Sequence, residues 1–252
     1  MKVVLLGSTG LIGKNVLKLL SRLDRVNYVY CPVRTVPNVA ELGILQGASK
    51  FDFEQVDFEQ ILDKLPGTGN TSNVQAKILG CDAVVCCLGT TRKQARSKAN
   101  QERIDLRLPL AFAAIAKKQG VKNFLCVSAM GANSKSPFFY NRLKGLLEEG
   151  LTMMGFESLT LVRPSLLLGK HKDKRFGEEL MQKIFGNHPQ VIPLYFRPVF
   201  AEAVAVHLCA SLLRPPKDHV CVTDGVKGKR IIYNRILAQT KVEELFYLTI
   251  NN

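Results

Sequence analysis

The sequence predicts an α/β fold in which helices cover both faces of a doubly wound parallel sheet. Short apolar runs such as Val3 to Leu6 are typical of strands that are buried on both faces. These runs alternate with segments of helical periodicity, and a glycine-rich turn and a helix follow the first run directly. With 252 residues, the chain is long enough for one such domain with a large core.

The first strand leads into the turn Gly7-Ser8-Thr9-Gly10-Leu11-Ile12-Gly13, which has the spacing G-x-x-G-x-x-G. Gly7 permits the sharp turn, Gly10 lets a pyrophosphate approach the backbone, and Gly13 lets the helix pack closely on the strand. The free N–H groups and the positive end of the helix dipole then face the phosphates. Because the motif lies between a strand and a helix, it favours a Rossmann-type dinucleotide site over a purely structural glycine turn.

The second and third strands end in side chains of opposite charge. The second strand spans roughly Tyr28 to Val33, and Arg34 stands where NAD-binding sheets often place an acid. A guanidinium suits a 2′-phosphate, so we expect NADP(H) to be preferred over NAD(H); the alternative is an exposed loop arginine. Asp57 follows the third strand, where it can contact an adenine or cap the helix predicted from Phe58 to Leu65.

The fourth and fifth predicted strands are each followed by a residue that a ligand can approach or bind. The fourth strand, Asp82 to Leu88, ends in Gly89, where the backbone can approach a ligand. A long helix is predicted from Asn100 to Gln119, and the fifth strand, Asn123 to Val127, is followed by Ser128. Ligands of open α/β sheets bind at such strand ends.

A helix predicted from Pro137 to about Met154 carries Tyr140 and Lys144. Residues four apart lie on one helical face, about 6 Å apart along the axis. Alone, this pair equally fits an ordinary amphipathic helix, but Ser128 and the glycine turn favour a functional site. A sixth strand from Ser158 to Val162 and an amphipathic helix over 199–213 complete the prediction.

These motifs resemble the short-chain dehydrogenase/reductase superfamily. Four segments are similar to one atypical branch, which contains the Tat-interacting oxidoreductase-like proteins and their bacterial NAD(P)H-binding relatives. The four segments are Cys86 to Arg92, Ser128 to Ala132, Phe139 to Gly145 and Val162 to Ser165.

The resemblance implies a Rossmann-type domain over residues 1–225 with a small C-terminal substrate lobe, mainly residues 165–200. It leaves the structure of residues 226–252 undecided. It also implies that Lys144 holds the nicotinamide ribose, with Pro164 and Ser165 near the nicotinamide. The expected cofactor-binding residues are Gly7, Ser8, Thr9, Gly10, Leu11, Ile12, Gly13, Arg34, Asp57, Cys87, Leu88, Gly89, Thr90, Tyr140, Lys144, Pro164 and Ser165.

The resemblance further implies a catalytic set of Ser128, Tyr140 and Lys144 for hydride transfer to or from a small carbonyl or alcohol. Tyr140 is the expected acid or base, Lys144 is expected to lower its pKa, and Ser128 is expected to bind the substrate oxygen. A second hypothesis assigns the chain to a different functional class, binding proteins rather than enzymes. The chain is then an NADPH-binding regulatory protein with weak or no catalysis.

The net charge of +14 suits an anionic cofactor, but it also suits a nucleic acid. Neither basic cluster, over 92–98 or over 170–175, is interleaved with aromatic residues or belongs to a nucleic-acid module. We therefore expect a small-molecule substrate and no specific nucleic acid, and we leave open a protein partner or a homodimer. No segment is long and apolar enough to predict a membrane span.

The seven cysteines predict a reduced, cytoplasmic protein. Their number is odd, no C-x-x-C is present, and several lie inside apolar strand patterns. No spacing of histidines and cysteines predicts a metal site. The first twenty residues contain three glycines and no cleavage pattern, so a signal peptide is not expected.

Overall fold

The computed structural model describes residues 1–44, 46–63, 72–168, 193, 196–215 and 229–240. Within them it confirms the predicted Rossmann-type α/β class. Seven strands form one parallel sheet: β1 (Lys2–Leu6), β2 (Tyr28–Val33), β3 (Phe51–Gln55), β4 (Ala83–Cys86), β5 (Asn123–Val127), β6 (Ser158–Arg163) and β9 (Lys229–Tyr233). Their order is β3-β2-β1-β4-β5-β6-β9, so the chain changes direction between β1 and β4, where such sheets bind ligands.

Helices cover both faces of this sheet. They are α1 (Leu11–Leu20), α2 (Phe58–Asp63), α3 (Ser72–Ile78), α4 (Arg92–Ala95), α5 (Lys98–Glu102), α6 (Leu108–Lys118), α7 (Phe139–Met153), α8 (Ala201–Leu213) and α9 (Asn234–Ala238). Two short 3₁₀ helices span Val39–Leu42 and Ala48–Lys50, and strands β7 (Leu167–Leu168) and β8 (Val199–Phe200) form a separate two-stranded sheet. Among the described helices, none has the length and apolar character that a bilayer span requires.

The core is divided between the two faces of the sheet. Val3 and Leu5 of β1 pack with α1 and α8 on one face. Val4 and Leu6 pack with α3, α6 and α7 on the other. This explains the near-continuous apolar runs, since a strand buried on both faces has no side that faces water.

The long helix predicted from Asn100 to Gln119 is interrupted by a π-helical turn, Arg103–Arg107, between α5 and α6. The N–H of Leu108 donates to the carbonyl of Arg103, five residues earlier. Pro109 has no N–H, and in a regular helix its ring would clash with the carbonyl of Asp105 four residues before it. A wider turn relieves this clash, and such turns are frequent at functional sites.

The C-terminal part of the chain contributes to the sheet. Strand β9 pairs in parallel with β6, with Ile231 opposite Leu161, so the sheet extends beyond residue 225. Helix α3 was not predicted, because its first residues stand in a Gly/Thr/Asn-rich stretch. Most of the expected substrate lobe, at 169–192, lies outside the described residues, as do residues 64–71.

Candidate active site

The glycine turn after β1 is built by close backbone packing. Gly7 has φ +75°, and a Cβ there would lie 2.8 Å from the carbonyl oxygen of Cys87. A Cβ at Gly13 would lie 2.1 Å from the carbonyl oxygen of Gly7. No side chain fits at either position, so these two glycines let α1 start directly beside the strand ends.

The start of α1 is open to solvent and fits a diphosphate. Gly10 occupies the N-cap with φ −76° and ψ 175°, and no side chain caps the helix. Thr9, Gly10 and Leu11 are exposed, whereas Ser8 and Ile12 are buried. Ser8 and Ile12 therefore offer almost no surface to a cofactor, and the exposed residues of the turn are Thr9, Gly10 and Leu11. Uncapped N–H groups at a helix start are suited to an anion.

Arg34 and Asp57 lie at the carboxyl ends of β2 and β3, as the sequence predicts. Arg34 is exposed, and no ion pair is found for it among the described residues. Asp57 accepts from the Glu59 N–H at 2.9 Å and from Gln60 Nε2 at 3.2 Å, so it caps the start of α2. It also lines a cleft of about 180 Å³ beside Ile61, which leaves the adenine role open.

The residues expected on the fourth-strand loop and after β6 lie around the same edge of the sheet. Cys87, Leu88 and Thr90 are half-buried, and Gly89 is exposed. Pro164 is buried, and its carbonyl accepts from the Met130 N–H at 2.8 Å.

Ser165 is tied to the C-terminal part of the chain. It donates its N–H to Asn234 Oδ1 at 2.7 Å and its hydroxyl to the Arg197 carbonyl at 2.6 Å. Asn234 is fully buried and donates to the same carbonyl at 2.8 Å. The Ser165 hydroxyl therefore links the strand end to the residues that follow, and its proton is not directed toward a cofactor.

Tyr140 and Lys144 come together on one face of α7. The ammonium of Lys144 lies 5.9 Å from the centroid of the Tyr140 ring. Tyr140 is 40% exposed, while Lys144 is 2% exposed. Part of the Tyr140 side chain is therefore exposed, and a buried positive charge lies near its ring.

Asp105 of the π turn forms a buried ion pair with Lys144. Its Oδ1 lies 3.6 Å from Lys144 Nζ and accepts from the Thr90 N–H at 3.0 Å, and Asp105 is fully buried. A Cβ at Gly89 would lie 3.2 Å from the same oxygen and 4.0 Å from Lys144 Nζ. The loop after β4 thus closes over the pair.

The electrostatics around Tyr140 differ from the prediction. Burial raises the pKa of Tyr140, Lys144 lowers it, Asp105 raises it again, and the net direction is upward. Burial also raises the pKa of Asp105, although Lys144 and the Thr90 N–H oppose this. Burial opposes the charge of Lys144, but the negative charges of an ionised Tyr140 and of Asp105 outweigh it and raise its pKa. The expected lowering by Lys144 is present but does not prevail.

Ser128 is committed to a second buried cluster. Its hydroxyl donates to Glu148 Oε1, and both residues are buried. Arg163 holds the same carboxylate with two bonds, from Nε at 2.8 Å and from Nη2 at 2.5 Å, and stacks 5.6 Å above the Tyr233 ring. While this cluster is intact, Ser128 offers a substrate only acceptor lone pairs and no proton.

Asp105 and Glu148 were missed by reasoning from the sequence. Glu148 follows Lys144 by four residues, so the helical spacing that selected Tyr140 and Lys144 also places it on their face. Asp105 stands between Ile104 and Leu106, four residues before Pro109, and this position next to a helix-disturbing proline is the signal that was available.

A Rossmann-type sheet, an uncapped glycine turn and a Tyr-x-x-x-Lys helix occur together in this structure, which is the combination that the resemblance to the short-chain dehydrogenase/reductase superfamily implies. The profile of the HIM1 family matches residues 57–193, more than half of the chain, and the chain belongs to that family. The narrower branch that the motifs resemble stays a prediction.

Two curated relatives illustrate the similarity. Protein FMP52, mitochondrial, from Meyerozyma guilliermondii is 31% identical over 222 residues, which cover 86% of this chain and 88% of that protein. Protein HTATIP2 from Rattus norvegicus is 32% identical over 145 residues, which cover 58% of this chain and 60% of that protein.

Among solved structures, the dTDP-glucose 4,6-dehydratase DesIV from Streptomyces venezuelae, with NAD and TYD bound, gives a TM-score of 0.63. It is 15% identical, and the match covers 100% of this chain and 80% of that one. At this identity the similarity shows the fold alone.

The relatives correct the expected cytoplasmic location. Several FMP52 proteins that match this chain are named as mitochondrial, so the cytoplasmic prediction is wrong. Reduced cysteines were its main support, and they do not distinguish one reducing compartment from another.

Proposed function

We propose that the protein is an NADP(H)-dependent oxidoreductase that interconverts a small carbonyl compound and its alcohol, with Tyr140 as the acid or base. The observation that carries the proposal is that the ring of a partly exposed tyrosine, Tyr140, has its centroid 5.9 Å from the buried ammonium of Lys144, on the helix that follows the end of β5. A buried lysine next to a phenol is expensive to maintain, and strongly perturbed groups of this kind cluster at functional sites.

The cofactor is assigned to the glycine turn and the neighbouring strand ends. The uncapped N–H groups at the start of α1 bind the diphosphate, and Arg34, which directly follows β2, binds the 2′-phosphate. Asp57 lies beside the adenine, and Lys144 holds the nicotinamide ribose. NADP(H), when bound, supplies or accepts the hydride.

The protein supplies the proton and the positioning. Tyr140 donates its phenolic proton to the carbonyl oxygen during reduction and takes it back during oxidation. Its raised pKa keeps the phenol protonated at neutral pH, which suits the reducing direction. Glu148 and Arg163 fix Ser128 beside the carboxyl end of β5, and the residues after 165 are assigned to the substrate.

A second candidate function is an NADPH-binding regulatory protein with weak or no catalysis. The observation that favours it is the hydrogen bond from Ser128 to Glu148, because it uses the only proton that Ser128 could give to a substrate oxyanion. In either case we place the protein in mitochondria, following the names of its FMP52 relatives.

Two experiments test the proposal. Titration calorimetry measures the binding of NADPH, and an assay of NADPH consumption with a panel of aldehydes, ketones and quinones measures turnover. NADPH binding together with turnover of at least one carbonyl supports the oxidoreductase. Binding without turnover across the panel favours the regulatory protein. Absence of binding at millimolar NADPH overturns both.

A further inference from the structure

We propose that Asp105 is a positioning residue that offsets the charge of Lys144 and thereby favours the protonated form of Tyr140. The inference rests on the proposed function and deepens it, because it concerns the protonation state of Tyr140 in the site. Its first test needs neither cofactor nor substrate, so it can fail or succeed independently of the oxidoreductase assignment.

Asp105 and Lys144 form an ion pair inside the protein, next to Tyr140. The carboxylate oxygen lies 3.6 Å from the ammonium nitrogen, whereas the centroid of the Tyr140 ring lies 5.9 Å from it. Both members of the ion pair are buried, at 0% and 2% exposure, so water screens their interaction very little. Tyr140 therefore faces an ion pair, in which the carboxylate offsets part of the effect of the ammonium, instead of an isolated cation.

The groups that face Lys144 come from four elements. They are Tyr140 of α7, Asp105 of the π turn, and the thiols of Cys86 and Cys126, which are register partners on β4 and β5. Within the described part of the chain, Asp105 contributes the only carboxylate that pairs with this ammonium. Removal of Asp105 therefore exposes the phenol to an uncompensated positive charge.

Several features hold the Asp105 carboxylate in place. The π turn precedes Pro109, the Thr90 N–H donates to Oδ1, and the absence of a side chain at Gly89 lets the loop close on this oxygen. A residue that only filled the core at this position would be apolar, since burial of a charge is costly unless it has a partner. The local structure therefore fixes Oδ1 of this carboxylate, whereas Oδ2 is buried without a hydrogen-bond partner in the described part of the chain.

The consequence concerns proton transfer. A positive charge near a phenol stabilises the phenolate, which is the form required to accept a proton from an alcohol. When Asp105 offsets that charge, the phenol retains its proton and is ready to donate it to a carbonyl oxygen. The protonated form that reduction requires then persists to higher pH, and oxidation requires a higher pH than it would without Asp105.

The test measures the ionisation of Tyr140 in the unliganded protein. The probe is ¹³C NMR of tyrosines labelled at Cζ, recorded as a function of pH. The Tyr140 signal is assigned by its loss in Tyr140→Phe. In Asp105→Asn the amide oxygen can still accept from Thr90 while the charge is gone, and we expect the acid dissociation constant of Tyr140 to rise at least tenfold. The control is Glu149→Gln, which makes the same charge change on an exposed side chain of α7 and is expected to leave the titration unchanged.

An unchanged Tyr140 titration in folded Asp105→Asn overturns the proposal. If that variant does not fold, the double variant Asp105→Asn/Lys144→Met shows whether the loss of folding comes from the unpaired charge of Lys144. Both buried charges are then removed together, and the proposal expects folding to be restored. A double variant that also fails to fold shows that Asp105 is required for packing, and this result overturns the proposal as well. If the oxidoreductase assignment holds, Asp105→Asn also extends alcohol oxidation to lower pH.

Discussion

Arg163 binds both carboxylate oxygens of Glu148, which is buried one helical turn beyond Lys144 on α7. The two N–H groups of the guanidinium meet the two oxygens in the fork geometry that gives strong charge-assisted hydrogen bonds. Ser128 donates to the same carboxylate, so one buried acid connects β5, β6 and α7 below the candidate active site.

Arg163→Met is expected to lower the free energy of unfolding by about 3–5 kcal/mol, because it leaves the Glu148 carboxylate buried without its cation. Urea unfolding at neutral pH measures the change. The matched control is Lys122→Met, which breaks a 3.2 Å pair with Glu157 whose side chains are 71% and 65% exposed. We expect a change below about 1 kcal/mol there. Equal effects in the two variants would show that the Glu148 cluster adds nothing to stability.

Gly10→Ala should leave the fold intact and weaken NADPH binding at least tenfold. A Cβ at residue 10 would meet the Gly7 carbonyl at 3.3 Å, which small shifts relieve, but it would stand where the diphosphate approaches the backbone. Gly13→Ala is the contrasting variant, since its Cβ would lie 2.1 Å from the same oxygen and should destabilise the whole domain. Calorimetry and urea unfolding of both variants separate the two effects. Undiminished NADPH affinity in Gly10→Ala would refute the assignment of the diphosphate to this turn.

Arg34→Glu should reverse the preference for NADPH over NADH, since a carboxylate repels the 2′-phosphate and accepts from a ribose hydroxyl. The ratio of the two dissociation constants, measured by titration calorimetry, checks this. Lys122→Glu is the control, because it makes the same charge change at the amino end of β5, on the opposite edge of the sheet, and should leave the ratio unaltered. A ratio that Arg34→Glu also leaves unaltered would refute the 2′-phosphate assignment.

His207 should make the protein sensitive to mild acid. Burial on α8 lowers its pKa to about 4 from an ordinary value of 6.5. Between these two pH values the unfolded chain binds a proton that the folded protein does not bind. The free energy of unfolding therefore falls as the pH drops from about 6.5 to about 4, by roughly 3 kcal/mol in total. His207→Gln should flatten the dependence of unfolding free energy on pH over this range. An equally steep dependence in that variant would assign the acid sensitivity to other groups.

The sequence was sufficient for the parts of the fold that depend on local pattern. Apolar runs such as Val3 to Leu6 located the strands, and the glycine turn located the start of α1. The seventh strand was not predicted, because Lys229–Tyr233 is basic at its start and is buried only by pairing with β6. Sheet order at the edge is a tertiary property that no local pattern encodes.

The candidate site was predicted in position but not in its electrostatics. The spacing of Tyr140 and Lys144 fixed their common face, and the structure brings them together. Asp105 is 39 residues before Lys144 in the chain, and a π turn was needed to bring it to within 3.6 Å. Lys144 does lower the pKa of Tyr140, but burial of the phenol, with Asp105 acting in the same direction, outweighs that effect.

The central claim is that Tyr140 transfers a proton during hydride transfer, and NADPH oxidation followed at 340 nm with a carbonyl substrate from the panel tests it most directly. Tyr140→Phe should bind NADPH as tightly as the native protein and lose at least about a hundredfold in turnover, since it keeps the ring and removes the proton. Tyr28→Phe, which removes a phenol bonded to Asp52 far from the glycine turn, should retain native turnover. Native turnover in Tyr140→Phe would contradict the account.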